Sequence, residues 1–381
     1  MNFSVLLSAV IKQLGEVASI AGSAPNKEDI TQNILICAEN GVLTLKATNY
    51  NIELITVINE VTIESEGRIT VNANKIKEIL GNLDPNVLVN FAYIADKALL
   101  KISTPVSNFE IRTRAADDFP SFDVENIDQT IVVQQKQLKN LIDSSIFCVS
   151  NEDFRDYLKG IRLELMNGKL DVFTSDGHRM AVIELKLEGQ TVQNPSGTFG
   201  AIITKSCAQQ LSKILEESAE STVTLQFTKN AVLTTCNNYS LASKLINCGY
   251  PNVRAIIPKS IDKSVLVPKD ELSALIKQIS VLSSTRANGI TFNFGDGLVR
   301  FRAENSEHEV STGSMPLPGA QDPIEISLNA QYVREVLGAI KGSDNVLFCF
   351  GNPIINVLIK PEKEENECGV KSSYIISKVL I

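Results

Sequence analysis

Three stretches of this chain superimpose without a gap: ILICAENGVLTLKATNYN from Ile34, IRLELMNGKLDVFTSDGH from Ile161 and ITFNFGDGLVRFRAENSE from Ile290. Each alternates apolar and polar residues on both sides of Asn-Gly or Asp-Gly, with the glycine at Gly41, Gly168 and Gly297. That dipeptide between alternating runs is the strongest short-range signal for a β-hairpin, because a type I′ turn needs positive φ at both central residues. Its recurrence at matched positions predicts tandem copies of one unit rather than one large domain.

The flanks repeat as well. An extended start and a helical pattern precede each hairpin: FSVLLSAVIKQLGEVAS, IVVQQKQLKNLIDSSIF and SVLVPKDELSALIKQISVL. After each comes a second strand-to-helix passage, ITVNANKIKEILGNL, AIITKSCAQQLSKILEE or EISLNAQYVREVLGAI, and then another hairpin-like pair. The unit holds two helices and about eight strands in roughly 125 residues, an ordinary domain size. The pattern restarts after AADDFPSFDVENIDQ and NCGYPNVRAIIPKSIDK, whose Asp, Asn, Gly and Pro mark linkers. We read three α+β domains, residues 1–128, 129–259 and 260–381.

Composition narrows the function. At 381 residues the chain exceeds one ordinary core. MNFSVLLSAV has no Lys or Arg before its apolar residues, and Lys12, Gln13 and Glu16 soon interrupt it, so it reads as a strand leading into an amphipathic helix rather than a signal peptide. Apolar runs fall short of a membrane span. Seven scattered cysteines with no C-x-x-C pair indicate neither a disulfide framework nor a zinc ribbon, and a reducing cytoplasm is the expected home. Neither a metal nor another cofactor is expected.

A net charge of −8 argues against a protein that grips nucleic acid with its whole surface. The predicted helices nevertheless carry Lys12, Lys75 and Lys77 in copy one, Lys136, Lys139, Lys205 and Lys213 in copy two, and Lys269, Lys277, Arg334 and Lys341 in copy three. On composition these residues read first as ordinary solvated helix faces, with a moderately basic surface that passes along phosphates without gripping them as the other reading.

FTSDGHRMAV, residues 173–182, sets Ser175, Asp176 and Arg179 around His178, one of two histidines in the chain. A catalytic reading needs a converging nucleophile, base and orienter, yet no G-x-S-x-G elbow or metal-ligand set accompanies them. The matching residues are Thr48, Asn49, Tyr50 and Asn51 in copy one and Glu304, Asn305, Ser306 and Glu307 in copy three. A structural loop given special residues in one copy points to a single binding site. A satisfied structural histidine is the alternative.

RDYLKGI from Arg155, SDGHRMAV from Ser175, ADDFPSF from Ala116 and YPNV from Tyr250, set on the triple repeat, resemble the bacterial DNA polymerase III β subunit family of DNA sliding clamps. The resemblance covers the whole chain in register. It implies three DNA-clamp domains with helices lining the inside and antiparallel sheets outside, closed into a head-to-tail ring of two copies. Duplex DNA would thread the ring without sequence specificity. The replicative polymerase, the clamp loader and repair proteins would dock through short linear peptides.

No catalytic residue is implied. Residue by residue, the resemblance places a peptide groove at Leu158, Ser175, Gly177, His178, Arg179, Met180, Pro251, Ile256, Asn329, Tyr332, Pro353 and Ile355, completed by the tail Ile375, Ile376, Ser377, Lys378, Val379, Leu380 and Ile381. His178 and Arg179 would offer donors at its rim, with Met180 as an adaptable apolar wall. Lys12, Lys75, Lys77, Lys139, Arg155, Tyr157 and Lys205 would face DNA. Phe109 and Ile111 would meet Val281 and Leu282, on the first helix of copy three, across the dimer interface. Two departures stand out: Ala24 replaces an arginine usual in the family, and the tail SKVLI puts Lys378 and Leu380 at the usual proline and arginine positions. A scaffold of the same fold that does not encircle DNA is the alternative function, and a hydrolase built on His178 is a weaker one.

Overall fold

The structure, a computed structural model, describes residues 1–21, 29–123, 126–187, 192–193, 198–216, 221–258, 260–284, 287–317 and 323–380. Ala24 and Ile381 lie outside the described residues. The chain forms two compact units: Met1–Gln135 with Gln190–Asn194 and Gln209–Leu245, and Lys136–Gly189 with Pro195–Ala208 and Ile246–Ile381.

Each repeated hairpin turns where the sequence predicts. Asn40 and Gly41 have φ of 53° and 76°, Asn167 and Gly168 of 54° and 73°, and Asp296 and Gly297 of 54° and 71°. These are the paired left-handed residues of a type I′ turn. Six helices occur among the described residues, two per copy: α1 Ile11–Ala18, α2 Ala73–Gly81, α3 Gln135–Asp143, α4 Lys205–Ile214, α5 Lys269–Ile279 and α6 Ala330–Ala339.

The second helix of every copy starts on the same device. Asn72 accepts the Lys75 N–H at 3.1 Å, Thr204 that of Cys207 at 3.1 Å, and Asn329 that of Tyr332 at 3.1 Å. Each such cap satisfies an orphan donor of the first turn and contributes about 1 kcal/mol. Apolar residues then recur at helical spacing and are buried, as with Ala73, Ile76 and Leu80 in α2 or Ala330, Val333, Val336 and Leu337 in α6.

In the first unit a 14-stranded antiparallel sheet runs from copy two's Gln129–Gln134, Thr222–Phe227, Ala231–Cys236 and Tyr239–Lys244 into copy one's Ile52–Ile58 and onward. The join pairs Tyr239 with Thr56 and Ser243 with Ile52. In the second unit an 8-stranded sheet joins copy two's Arg179–Lys186 to copy three's Val370–Ser377, with Arg179 opposite Ile376 and Leu185 opposite Val370. A 4-stranded sheet completes copy three, and Phe292, Phe294, Phe301, Phe348 and Phe350 pack beneath it with neighbouring rings 5.1–6.3 Å apart.

One placement is corrected here. Val281 and Leu282 are not on the first helix of copy three. α5 stops at Ile279, and they form the 3₁₀ turn Ser280–Leu282 that follows it, with Val281 77% exposed.

Candidate functional site

The strand Lys169–Ser175 ends in a three-residue turn, and Arg179–Lys186 leaves it. Ser175 Oγ donates to the Arg179 carbonyl at 2.7 Å and accepts the Gly177 N–H at 3.0 Å. Asp176 Oδ1 accepts the N–H groups of His178 at 2.9 Å and Arg179 at 3.0 Å. Ser175 and Asp176 thus spend their polar atoms on the turn, as Ser and Asp side chains commonly do. Gly177 has φ of 90°, and a Cβ there would stand 2.6 Å from Arg155 Nη2. Glycine suits this left-handed conformation and leaves room for the Arg155 guanidinium.

Arg179 departs from expectation. Its guanidinium is not at a rim but buried at 9% exposure, and its donors are engaged. Nε binds Asp176 Oδ2 at 2.9 Å, Nη2 binds the Phe147 carbonyl at 2.7 Å, and Nη1 pairs with Glu335. The guanidinium carbon lies 4.3 Å from the Tyr332 ring centroid and 5.2 Å from that of Phe147. This cation–π and ion-pair staple fixes the start of α6, and with it Tyr332, against the turn. Burial raises the Tyr332 phenol above its ordinary pKa, and the Asp176 carboxylate adds to the effect. Nearby Cys148 is fully buried, and burial pushes its thiol well above the usual range, which makes it a packing residue rather than a nucleophile.

Two cavities open beside the turn, with His178 and Ser377 lining both. The smaller, of about 160 Å³, is lined by Leu158, Ser175, Gly177, Arg179, Met180, Pro251, Ile256 and Ile375, together with Arg155, Tyr157 and Val253. Its floor is an apolar cluster of Phe173, Met180, Val182, Val253, Cys349, Leu358 and Ile375. The larger, of about 840 Å³, takes Asn329, Tyr332, Lys378, Val379 and Leu380 with Arg302, Glu304, Asn305 and His308. An apolar pocket with a few polar handles, continuing into a polar chamber, can anchor an aliphatic or aromatic side chain and guide the peptide that carries it.

Three expected groove residues lie elsewhere. Ile376 is fully buried in the strand core, and Pro353 and Ile355 are exposed without lining either cavity. Ile355 still positions the tail, because its carbonyl accepts the Lys378 N–H at 3.3 Å while the Val379 N–H reaches the Ser327 carbonyl at 2.9 Å.

The cationic candidates divide. Lys12, Lys75 and Lys77 stand exposed on α1 and α2. Lys139 is tied to Asp143 at 3.2 Å. Lys205 donates to Asn151 Oδ1 at 2.7 Å and the Val149 carbonyl at 3.1 Å, and burial lowers its pKa. Arg155 forms a two-pronged pair with Asp153, both bonds 2.9 Å, which holds that carboxyl down at about 2. Arg155 and Tyr157 line the small cavity as well.

The sequence reading missed Phe147, Glu335 and the Arg302–His308 wall. Only the two-histidine content of the chain offered a hint, since both His178 and His308 line the larger cavity.

Three family models tile the chain: DNA polymerase III beta subunit N-terminal domain on residues 1–123, central domain on 132–252 and C-terminal domain on 254–371. The Vibrio cholerae beta sliding clamp is 28% identical over 363 residues, spanning 94% of this chain and 96% of that one. The Pseudomonas aeruginosa beta sliding clamp is 26% identical over 371 residues, spanning 97% and 98%. A crystal structure of the DNA polymerase III subunit beta from Pseudomonas aeruginosa superposes with a TM-score of 0.89 at 25% identity, covering 100% of both chains. A sliding clamp from the same organism, solved bound to griselimycin, gives 0.90 at 25% identity with the same coverage. The chain belongs to the bacterial DNA polymerase III β subunit family, the DNA sliding clamps, which are non-catalytic processivity factors.

Proposed function

We propose that two copies of this chain close head to tail into a ring around duplex DNA, and that the ring tethers a polymerase and other partners by short peptides held in the groove at His178. One observation carries the ring. The last strand of copy two pairs with the fourth strand of copy one, and the last strand of copy three with the fourth strand of copy two. Two strands are left without such a partner. In copy one's last strand, Asn108–Arg114, only Thr113 and Arg114 reach a second neighbour. Copy three's fourth strand, Val310–Pro316, pairs only with Leu298–Glu304 among the described residues. Exposed edges are normally covered. Applying the same pairing rule to a second chain covers both, with Phe109 and Ile111 brought to Val281 and Leu282.

Each copy then acts as one domain, with boundaries at 1–128, 129–259 and 260–381. The linker following the strand that ends at Arg114 and the restart at Gln129 support the first of these. Exposed Lys12, Lys75 and Lys77 on an acidic chain suit loose, sequence-independent passage along phosphates. A related clamp accepts griselimycin, which supports a ligand groove on this architecture. Among the described residues no cysteine is in a disulfide, as in a reducing cytoplasm, and no helix is long and apolar enough to cross a membrane. The scaffold alternative is not favoured, because full-length relatives are named sliding clamps.

Sedimentation tests the ring. The wild type should run as a dimer and the Val281→Asp, Leu282→Asp double variant as a monomer. When loaded on closed circular DNA by a clamp loader with ATP, the wild type should slide off once the circle is cut. A dimer that survives the double change, or protein retained on linear DNA, refutes the reading.

A further inference from the structure

The larger cavity is lined in part by the turn at residues 305–309, the copy-three counterpart of the turn at 176–178. The strands around it, Leu298–Glu304 and Val310–Pro316, leave five residues between them, whereas Lys169–Ser175 and Arg179–Lys186 leave three. The extra length carries Asn305, Ser306 and His308 to the cavity. Equivalent turns of successive copies thus line one chamber, each contributing one of the chain's two histidines.

The charges of the chamber do not cancel. Its carboxylate, Glu304, accepts from Arg302 Nη2 at 2.6 Å and meets His308 Nδ1 at 2.9 Å. His308 first and Arg302 second hold the Glu304 pKa below its ordinary value. Lys378 lines the same chamber. Its backbone is pinned to Ile355 and the next residue to Ser327, yet the residue is exposed and its ammonium makes no hydrogen bond or ion pair among the described residues. Among the described residues that line the chamber, one positive charge is therefore left over once Arg302 balances Glu304.

We propose that Lys378, in the polar chamber that continues the peptide groove, reads an acidic side chain flanking the apolar anchor of the bound peptide. This rests on the reading of the small cavity as the anchor pocket. A carboxylate fits because it needs one cation plus neutral donors, which Asn305 and Ser306 supply.

Fluorescence anisotropy on the full-length protein tests it with three peptides sharing one apolar anchor: neutral flanks, a glutamate on the amino side, and a glutamate on the carboxyl side. One acidic peptide should bind about two- to fivefold tighter than the neutral one, the range of an exposed ion pair. The ratio should shrink with added salt. It should fall to about one in Lys378→Gln and rise in Glu304→Gln, which removes the competing carboxylate. Equal binding of all three peptides to the wild type, or a preference that persists in Lys378→Gln, overturns the proposal while leaving the anchor pocket standing. Failure of every peptide to bind overturns the groove and this proposal together.

Discussion

The turns at residues 49–51 and 176–178 are built by the same hydrogen bonds and do different things. In copy one, Thr48 Oγ1 donates to the Ile52 carbonyl at 3.0 Å and accepts the Tyr50 N–H at 3.2 Å. Asn49 Oδ1 there accepts the N–H groups of Asn51 at 3.1 Å and Ile52 at 3.0 Å. Ser175 and Asp176 repeat both arrangements in copy two, and Gly177 takes the left-handed position that Tyr50 holds with φ of 67°. Ser175 and Asp176 are therefore repeat architecture rather than reactive groups. What is particular to copy two is Gly177 in place of Tyr50, His178 in place of Asn51 and Arg179 in place of the buried Ile52. A site arises on this fold by keeping the backbone turn and exchanging the side chains it displays.

The largest effect should come from erasing that exchange at Arg179. Arg179→Ile copies the residue of copy one but strands the Asp176 and Glu335 carboxylates and the Phe147 carbonyl. Removing one partner of a buried ion pair costs about 3–5 kcal/mol, and the lower end applies because the Glu335 side chain is 33% exposed. Urea denaturation should register that loss, and the released Tyr332 should weaken peptide binding as well. A variant as stable as the wild type would mean that the staple adds nothing beyond what an aliphatic residue supplies.

A smaller effect tests the shared scaffold itself. Ser175→Ala and Thr48→Ala each delete a hydroxyl that both donates and accepts within the turn, at a cost of about 1 kcal/mol. The two losses should agree within ~0.5 kcal/mol by thermal or urea melts. Only the copy-two variant should also lower peptide affinity. If Ser175→Ala left stability untouched yet abolished binding, its hydroxyl would be contacting ligand and the equivalence of the turns would fail.

These outcomes bear on what was legible beforehand. Asn40-Gly41 and its two counterparts could be read because a type I′ turn is decided by its own residues. Arg179 could not be read, since its partners Phe147 and Glu335 lie 32 and 156 positions away and nothing local predicts that a guanidinium will find them. Ile376 misled for another reason: the resemblance carried the whole tail into the groove, whereas alternation along the strand separates it from Ile375, which does line the small cavity. A sequence shows such alternation only when one face is wet. Here Ile375 and Ile376 are both buried, at 2% and 0%, one toward the cavity floor and the other in the strand core.

The finest test concerns His178. Its structural bonds are made by the backbone: the N–H goes to Asp176 at 2.9 Å, and the carbonyl accepts the Ser377 N–H at 2.9 Å. Alanine keeps both. The exposed imidazole, which lines both cavities, is the only part His178→Ala removes. Stability should then stay within about 0.5 kcal/mol of the wild type, as for other surface changes. Peptide affinity should fall by roughly two- to tenfold, as for the loss of one rim contact. Asn51→Ala at the equivalent position of copy one should change neither quantity, which makes it the internal control. If His178→Ala instead destabilised the fold by more than ~1 kcal/mol without moving peptide affinity, the imidazole would be a packing group, and the difference between the two turns would lie in Gly177 and Arg179 alone.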